Sequence, residues 1–129
     1  MMRYLSLKEI FTIHNSIISS SGGASGIRNL ASLKASLGQP HQTFDGNDFY
    51  LDLISKASIL CYSIVMNHPF VDGNKRVGHA VMEIFLMLND FEIEASVDEQ
   101  EKIMLRLAEG SIHREEFEVW LRANIKKIT

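Results

Sequence analysis

The 129-residue chain holds a single cysteine, Cys61, so no internal disulfide can form. Cys61 lies inside the apolar run KASILCYSIVM (residues 56–66), the setting of an inert core thiol rather than a nucleophile. There are two prolines, Pro40 and Pro69, and each falls where a helix must stop. No apolar run reaches the length of a membrane span: the longest, Val81 to Leu88, is interrupted by Glu83. Lys8 and Glu9 break the N-terminus before a signal-like stretch develops, so the expectation is a cytoplasmic protein without membrane partners. Charge of one sign is also missing. The 13 Lys and Arg are scattered among 16 Asp and Glu, net −3, which leaves no electrostatic footprint for direct nucleic acid binding. Repeats, low-complexity linkers, GK(S/T) and HExxH are absent too.

What remains is a composition of 46% hydrophobic and 22% charged residues, that of one globular domain over residues 1–129 with a real core. Ser6-Leu7-Lys8-Glu9 is a capping box. Leu7, Ile10, Phe11, His14, Ile17 and Ile18 then keep helical spacing until Ser19–Gly23. The loop SSSGGASG, to about Gly26, reads as a flexible connector. Leu30, Leu33 and Leu37 suggest a short second helix, stopped by Gly38 and Pro40. His41–Asp48 is turn chemistry, with Asp45-Gly46 at a hairpin tip. A third helix fits Leu51 to Asn67 and ends before Pro69.

Asn74 to Leu88 reads as a fourth helix, apolar nearly all round and hence the buried central one. Phe91–Glu94 is an extended connector. Ser96-Val97-Asp98-Glu99, a second capping box, opens a helix carrying Ile103, Met104 and Leu107 and closed at Gly110. A last helix from Arg114 to Lys127 buries Phe117, Trp120, Leu121 and Ile125. The fold expected is therefore all-α, a compact bundle of about six helices around a buried centre.

The stretch HPFVDGNKR (68–76) carries the chemistry. Helix starts favour acids, because unpaired N–H groups make that end positive. Here Lys75 and Arg76 stand in the first turn instead, each destabilising by roughly 0.3–1 kcal/mol. An anion docked on the helix start would reverse that sign, and phosphate is the usual occupant. Gly73, without a Cβ, lets backbone approach such a ligand. Asp72 is placed to hold Mg²⁺, which commonly takes one or two carboxylates and completes its shell with phosphate oxygens and water. Imidazoles exchange protons near neutral pH, so His68 is a candidate general base. The other histidines, His14, His41, His79 and His113, lack metal-ligand spacing and read as structural. Met66, Met82, Met87 and Met104 read mostly as core.

Those nine residues resemble the signature loop of the Fic/Doc superfamily. The Fic pattern is HPFx(D/E)GNGRxxR; the death-on-curing (Doc) branch reads HxFx(D/N)(A/G)NKR. Asn74-Lys75-Arg76 is the Doc ending, and His79 stands where the second Fic arginine would be. Residues 22–40 and 107–121 also resemble Doc segments. The resemblance implies His68 as the base activating a protein hydroxyl and Asp72 as the Mg²⁺ ligand. It implies Gly73, Asn74, Lys75 and Arg76 as the anion hole for the phosphates of ATP, the co-substrate. Gln42–Asp48 would be a flap aligning the target chain as an added strand.

Doc toxins move the γ-phosphate of ATP, and a lysine at 75 would crowd the α-phosphate pose that Fic enzymes use for AMP transfer. The resemblance therefore implies a toxin–antitoxin kinase acting on the translation machinery, with elongation factor Tu as its expected target, and so arresting translation. The alternatives are a Fic-type AMP transferase and a catalytically inert helical binding module. A Phd-like antitoxin is the implied partner. Self-inhibiting Fic proteins carry Ser or Thr four residues before a Glu-Gly or Glu-Asn pair; Leu105 stands there before Glu109-Gly110, so inhibition in cis is not expected.

Overall fold

A computed structural model describes residues 1–128. Six α-helices follow one another: α1 (Leu7–Ser21), α2 (Leu30–Gly38), α3 (Leu53–Asn67), α4 (Asn74–Leu88), α5 (Val97–Ala108) and α6 (Arg114–Ala123). A 3₁₀ turn, Gln39–His41, and a hairpin of β1 (Thr43–Phe44) with β2 (Asn47–Asp48) join α2 to α3. Strands β3 (Phe91–Ile93) and β4 (Ile125–Lys127) pair antiparallel, Ile93 opposite Ile125. Among the described residues, no helix is long and apolar enough to cross a membrane.

The helix starts follow from local chemistry. Ser6 Oγ accepts the Glu9 N–H at 3.2 Å, while Glu9 Oε1 accepts the Ser6 N–H at 2.8 Å. Asn29 and Asp52 cap α2 and α3 by accepting the Ser32 and Ser55 N–H groups. Ser96 caps α5, and Glu116 accepts the His113 N–H at the start of α6. At the start of α4 no side chain caps the first-turn N–H groups.

Two expectations are corrected. The most deeply buried helix is α3, not the Asn74–Leu88 helix: α3 packs against α2, the 3₁₀ turn, α4, α5 and α6, and is buried without a break from Ile54 to Cys61. Its serines and lysine disguised that, because they are buried with partners in place. Ser58 Oγ donates to the Ile54 carbonyl and Ser55 Oγ to Glu118, while Lys56 Nζ bonds the carbonyls of Pro40 and Tyr50 and the Asp48 carboxylate. By contrast α4 buries one face, through Val77, Val81, Met82, Phe85 and Leu86, and leaves Lys75 and Met87 outside. The second correction concerns the C-terminal helix. It stops at Ala123, where Asn124 turns back and its Nδ2 donates to the Trp120 carbonyl. Ile125–Lys127 then pairs with Phe91–Ile93, so the expected connector is a strand. Lys126 lies 3.4 Å from Glu92 and 3.2 Å from Glu94 across that pair.

Cys61 is fully buried, burial pushes its thiol well above the ordinary range, and its Sγ lies 3.8 Å from Met104 Sδ. Met82 and Met104 are core, whereas Met66 and Met87 are exposed.

Candidate active site

The loop between α3 and α4 starts at His68, which ends α3 in the left-handed conformation with φ 47°. Non-glycine residues seldom adopt this conformation. It turns the chain sharply enough for Pro69 and Phe70 to dive into the core, where Phe70 is 1% exposed. Phe70 stacks flat on His14 of α1, ring centroids 3.9 Å apart and planes 7° from parallel. The Nε2 of His14 bonds the Asp72 carbonyl at 2.8 Å. Asn74 closes the loop on itself: its Oδ1 accepts the Phe70 N–H at 2.9 Å and its Nδ2 donates to the Phe70 carbonyl at 3.1 Å. The loop is thus rigid from beneath, and its outer side is free for other work.

Gly73 then starts α4 with φ 79°, and the first ladder bond runs from the Val77 N–H to the Gly73 carbonyl at 2.8 Å. The N–H groups of Asn74, Lys75 and Arg76 have no intrahelical partner at that position. A cleft of about 360 Å³ opens over them, lined by Val65, His68, Val71, Asp72, Gly73, Asn74, Lys75, Arg76 and Ala108. All six residues singled out in the sequence therefore meet in one open cavity at the start of α4. The side chain of Asn74 is committed to the loop, which leaves its backbone N–H as the group it can offer a ligand.

Asp72 is half exposed, with one carboxylate oxygen accepting the Gly73 N–H at 2.8 Å and the other the Ala24 N–H at 3.1 Å. The Ala24 and Gly73 N–H groups hold its carboxyl below the usual carboxylate range, so the group is an anion at neutral pH. Each oxygen keeps a second lone pair. Among the described residues no three His, Cys, Asp or Glu side chains cluster as a metal cage. The donor set therefore fits an ion held by one carboxylate and completed by ligand oxygens, as Mg²⁺ beside phosphate is.

Arg76 reaches back to the end of α1: its Nη1 donates to Ser21 Oγ at 2.6 Å and to the Gly22 carbonyl at 2.9 Å, and its Nη2 lies 4.0 Å from Asp72 Oδ1. Half the guanidinium is thus anchored, and Nε and Nη2 remain for a ligand. Lys75 is exposed at the rim.

The segment SSSGGASG, expected to be a flexible connector, is instead strapped to this loop. The Arg28 and Asn29 N–H groups donate to the Pro69 carbonyl at 2.8 and 3.0 Å, and the Val71 N–H to Gly26 at 3.0 Å. Arg28 also caps α3, with Nε donating to the His68 carbonyl at 2.6 Å and Nη2 to Asn67 at 2.7 Å. Arg28, His14 and the Ala24 N–H went unseen in the sequence. The traces were the density of glycine in GGASG and the resemblance of residues 22–40 to Doc segments.

A larger cleft of about 610 Å³ runs between α4 and α5 and shares Lys75 and Arg76 with the first. It contains neither His68 nor Asp72, the candidate base and the candidate metal ligand, which both line the smaller one. His79 faces this second cleft, where its Nε2 meets Gln100 Oε1 at 2.8 Å and Glu83 Oε1 at 2.9 Å. Burial opposes its charge, but those two partners outweigh it and raise its pKa. The β1–β2 hairpin and the residue after it leave Phe44 and Phe49 exposed, and buried Lys56 ties the hairpin's base through Asp48 and the carbonyls of Pro40 and Tyr50.

Residues 4–86 match the family model described as Fic/DOC family. The chain is also 34% identical over 110 residues to Toxin Doc of Mycolicibacterium smegmatis, an alignment covering 84% of this chain and 82% of that protein. Matched by that model over residues 4–86 and by that relative over most of its length, the chain belongs to the Fic/DOC family, on its Doc branch.

Proposed function

We propose that the protein is a Doc-type toxin that transfers the γ-phosphate of ATP to a hydroxyl of a protein of the translation machinery, elongation factor Tu being the target implied by the resemblance. The observation that carries this is the meeting of His68, Asp72 and the uncapped start of α4 in one cleft. In the reaction, His68 takes the proton of the target hydroxyl. The hydroxyl oxygen bonds to the γ-phosphorus as the bond from that phosphorus to the bridging oxygen breaks, and ADP leaves. The N–H groups of residues 74–76, with Lys75 and the free edge of Arg76, bind the charge on the phosphates. Asp72 would hold Mg²⁺, which when bound neutralises phosphate charge.

Two features support phosphate rather than AMP transfer. Lys75 puts a long cation where the Fic pattern has glycine. His79, in place of the second Fic arginine, is engaged by Glu83 and Gln100. The partner expected on this reading is a Phd-like antitoxin, consistent with the name of the M. smegmatis relative.

The test is paired labelling in bacterial extract with Mg²⁺, one sample given α-labelled and the other γ-labelled ATP. Protein label from γ alone is the expected result. Label from α identifies AMP transfer instead, and none from either, without nucleotide binding, leaves an inert module.

A further inference from the structure

The segment Ser21–Ala24 ends α1 and touches two of the site residues. Ser21 Oγ gives its own hydrogen to the Ile17 carbonyl at 2.7 Å and accepts Arg76 Nη1 at 2.6 Å. The Gly22 carbonyl accepts the same nitrogen at 2.9 Å, and the Ala24 N–H donates to Asp72 Oδ2 at 3.1 Å. Between these anchors Gly23, at φ +116°, lies against both groups. A Cβ there would sit 2.7 Å from Asp72 Oδ2 and 3.1 Å from Arg76 Nη2. Asp72 and Arg76 themselves stand 4.0 Å apart, beyond hydrogen-bond reach, so their mutual contact does not fix either one.

We propose that Ser21–Ala24 is the positioning element of the site: it sets the Asp72 carboxylate and the Arg76 guanidinium side by side, and it does so only while residue 23 has no side chain. The inference rests on the reading of Asp72 and Arg76 as metal- and phosphate-binding residues. None of Ser21–Ala24 touches the reacting atoms in this scheme; the segment acts through the two residues it holds. Groups that orient metal ligands are commonly worth ten- to a hundredfold in affinity.

The neighbouring glycine supplies the control. Gly22 also has positive φ, +86°, but a Cβ on it would meet nothing within 4 Å. Gly22→Ala and Gly23→Ala therefore share a positive φ and differ in contact with Asp72, Arg76 and Ile18, whose Cδ1 a Cβ at 23 would meet at 3.1 Å. Both variants are made in the full chain, along with Gly23→Ala in an Asp72→Asn background. Two quantities are read: the amide proton shift of Gly73, which reports its bond to Asp72 without any ligand, and the affinity for Mg²⁺–ATP by calorimetry.

The expected result is that Gly23→Ala alone moves the Gly73 amide and weakens Mg²⁺–ATP binding about ten- to a hundredfold relative to Gly22→Ala. Its effect on binding should shrink once Asp72 is Asn. The proposal is overturned if Gly23→Ala and Gly22→Ala agree in both readouts, or if the loss persists undiminished with Asn at 72. Wild-type protein that fails to bind Mg²⁺–ATP overturns the underlying reading and this inference with it. That outcome is recognised before any variant is measured.

Discussion

Removing the cation at residue 75 should make the protein more stable and less able to bind nucleotide. Lys75 occupies the first turn of α4, where no side chain caps the helix and three N–H groups face an open cleft. It is exposed, and among the described residues no carboxylate lies within ion-pair distance of it. Its charge therefore opposes the helix dipole without local compensation. Neutralising it, as in Lys75→Gln, should recover about 0.3–1 kcal/mol.

Lys75→Glu reverses the interaction and doubles the gain, less about 0.2–0.5 kcal/mol for repulsion with Asp72 three residues earlier, for a net of roughly 0.5–1.5 kcal/mol. For a domain of this size that is a rise of about 2–6 °C in Tm. Urea and thermal unfolding at low ionic strength measure the effect, which should fade in about 0.5 M salt, where the screening length falls to a few Å. The same variants should bind Mg²⁺–ATP more weakly. A Lys75→Glu protein no more stable than wild type at low salt would refute the reasoning, since it would mean that the start of α4 carries no field an anion can use.

His68→Ala should reduce phosphate transfer at least about a hundredfold. Because the ring is exposed and Arg28 bonds only the His68 carbonyl, urea unfolding should change by no more than about 0.5 kcal/mol. Activity near wild type would remove His68 from the role of base. Asn74→Ala strands the Phe70 N–H and carbonyl, so it should destabilise by about 2–3 kcal/mol and lower activity by loosening the loop; an unchanged denaturation midpoint contradicts the staple. At the other end of α3, Arg122 binds Asp52 through two bonds of 2.8 and 2.9 Å and lowers the Asp52 pKa from 3.8 to about 2. A depressed carboxylate stabilises above its unfolded value and loses that contribution as pH falls through the folded one. Discounted for a half-exposed pair, Arg122→Ala should cost about 1 kcal/mol at neutral pH. The gap from wild type should close as pH drops from about 4 to 2, and a gap that widens there would exclude the pair as its source.

Helices whose start signals lie within four residues were legible from sequence. Ser6-Glu9 and Ser96-Glu99 mark α1 and α5, and Asn74–Leu88 has the bounds its pattern suggested. The centre of the bundle was not, because periodicity treats Lys56, Ser55 and Ser58 as outward-facing, whereas partners distant in sequence, such as Glu118 and Pro40, make them buried. The β3–β4 pair failed for a related reason: Phe91-Glu92-Ile93-Glu94 alternates over too few residues to mark a strand, and the pairing joins residues 91–93 to 125–127. At the site, residues 68–76 were legible since they are contiguous. Their support comes from His14, Ala24 and Arg28, which reach the loop only through the fold.

The central claim is that polyphosphate docks on the start of α4 beside His68. Amide and imidazole NMR shifts recorded during titration with Mg²⁺–ATP test it most directly. The account predicts that the largest changes fall on the amides of residues 73–76 and on the His68 ring. Saturable binding that leaves those signals in place and moves others would contradict it.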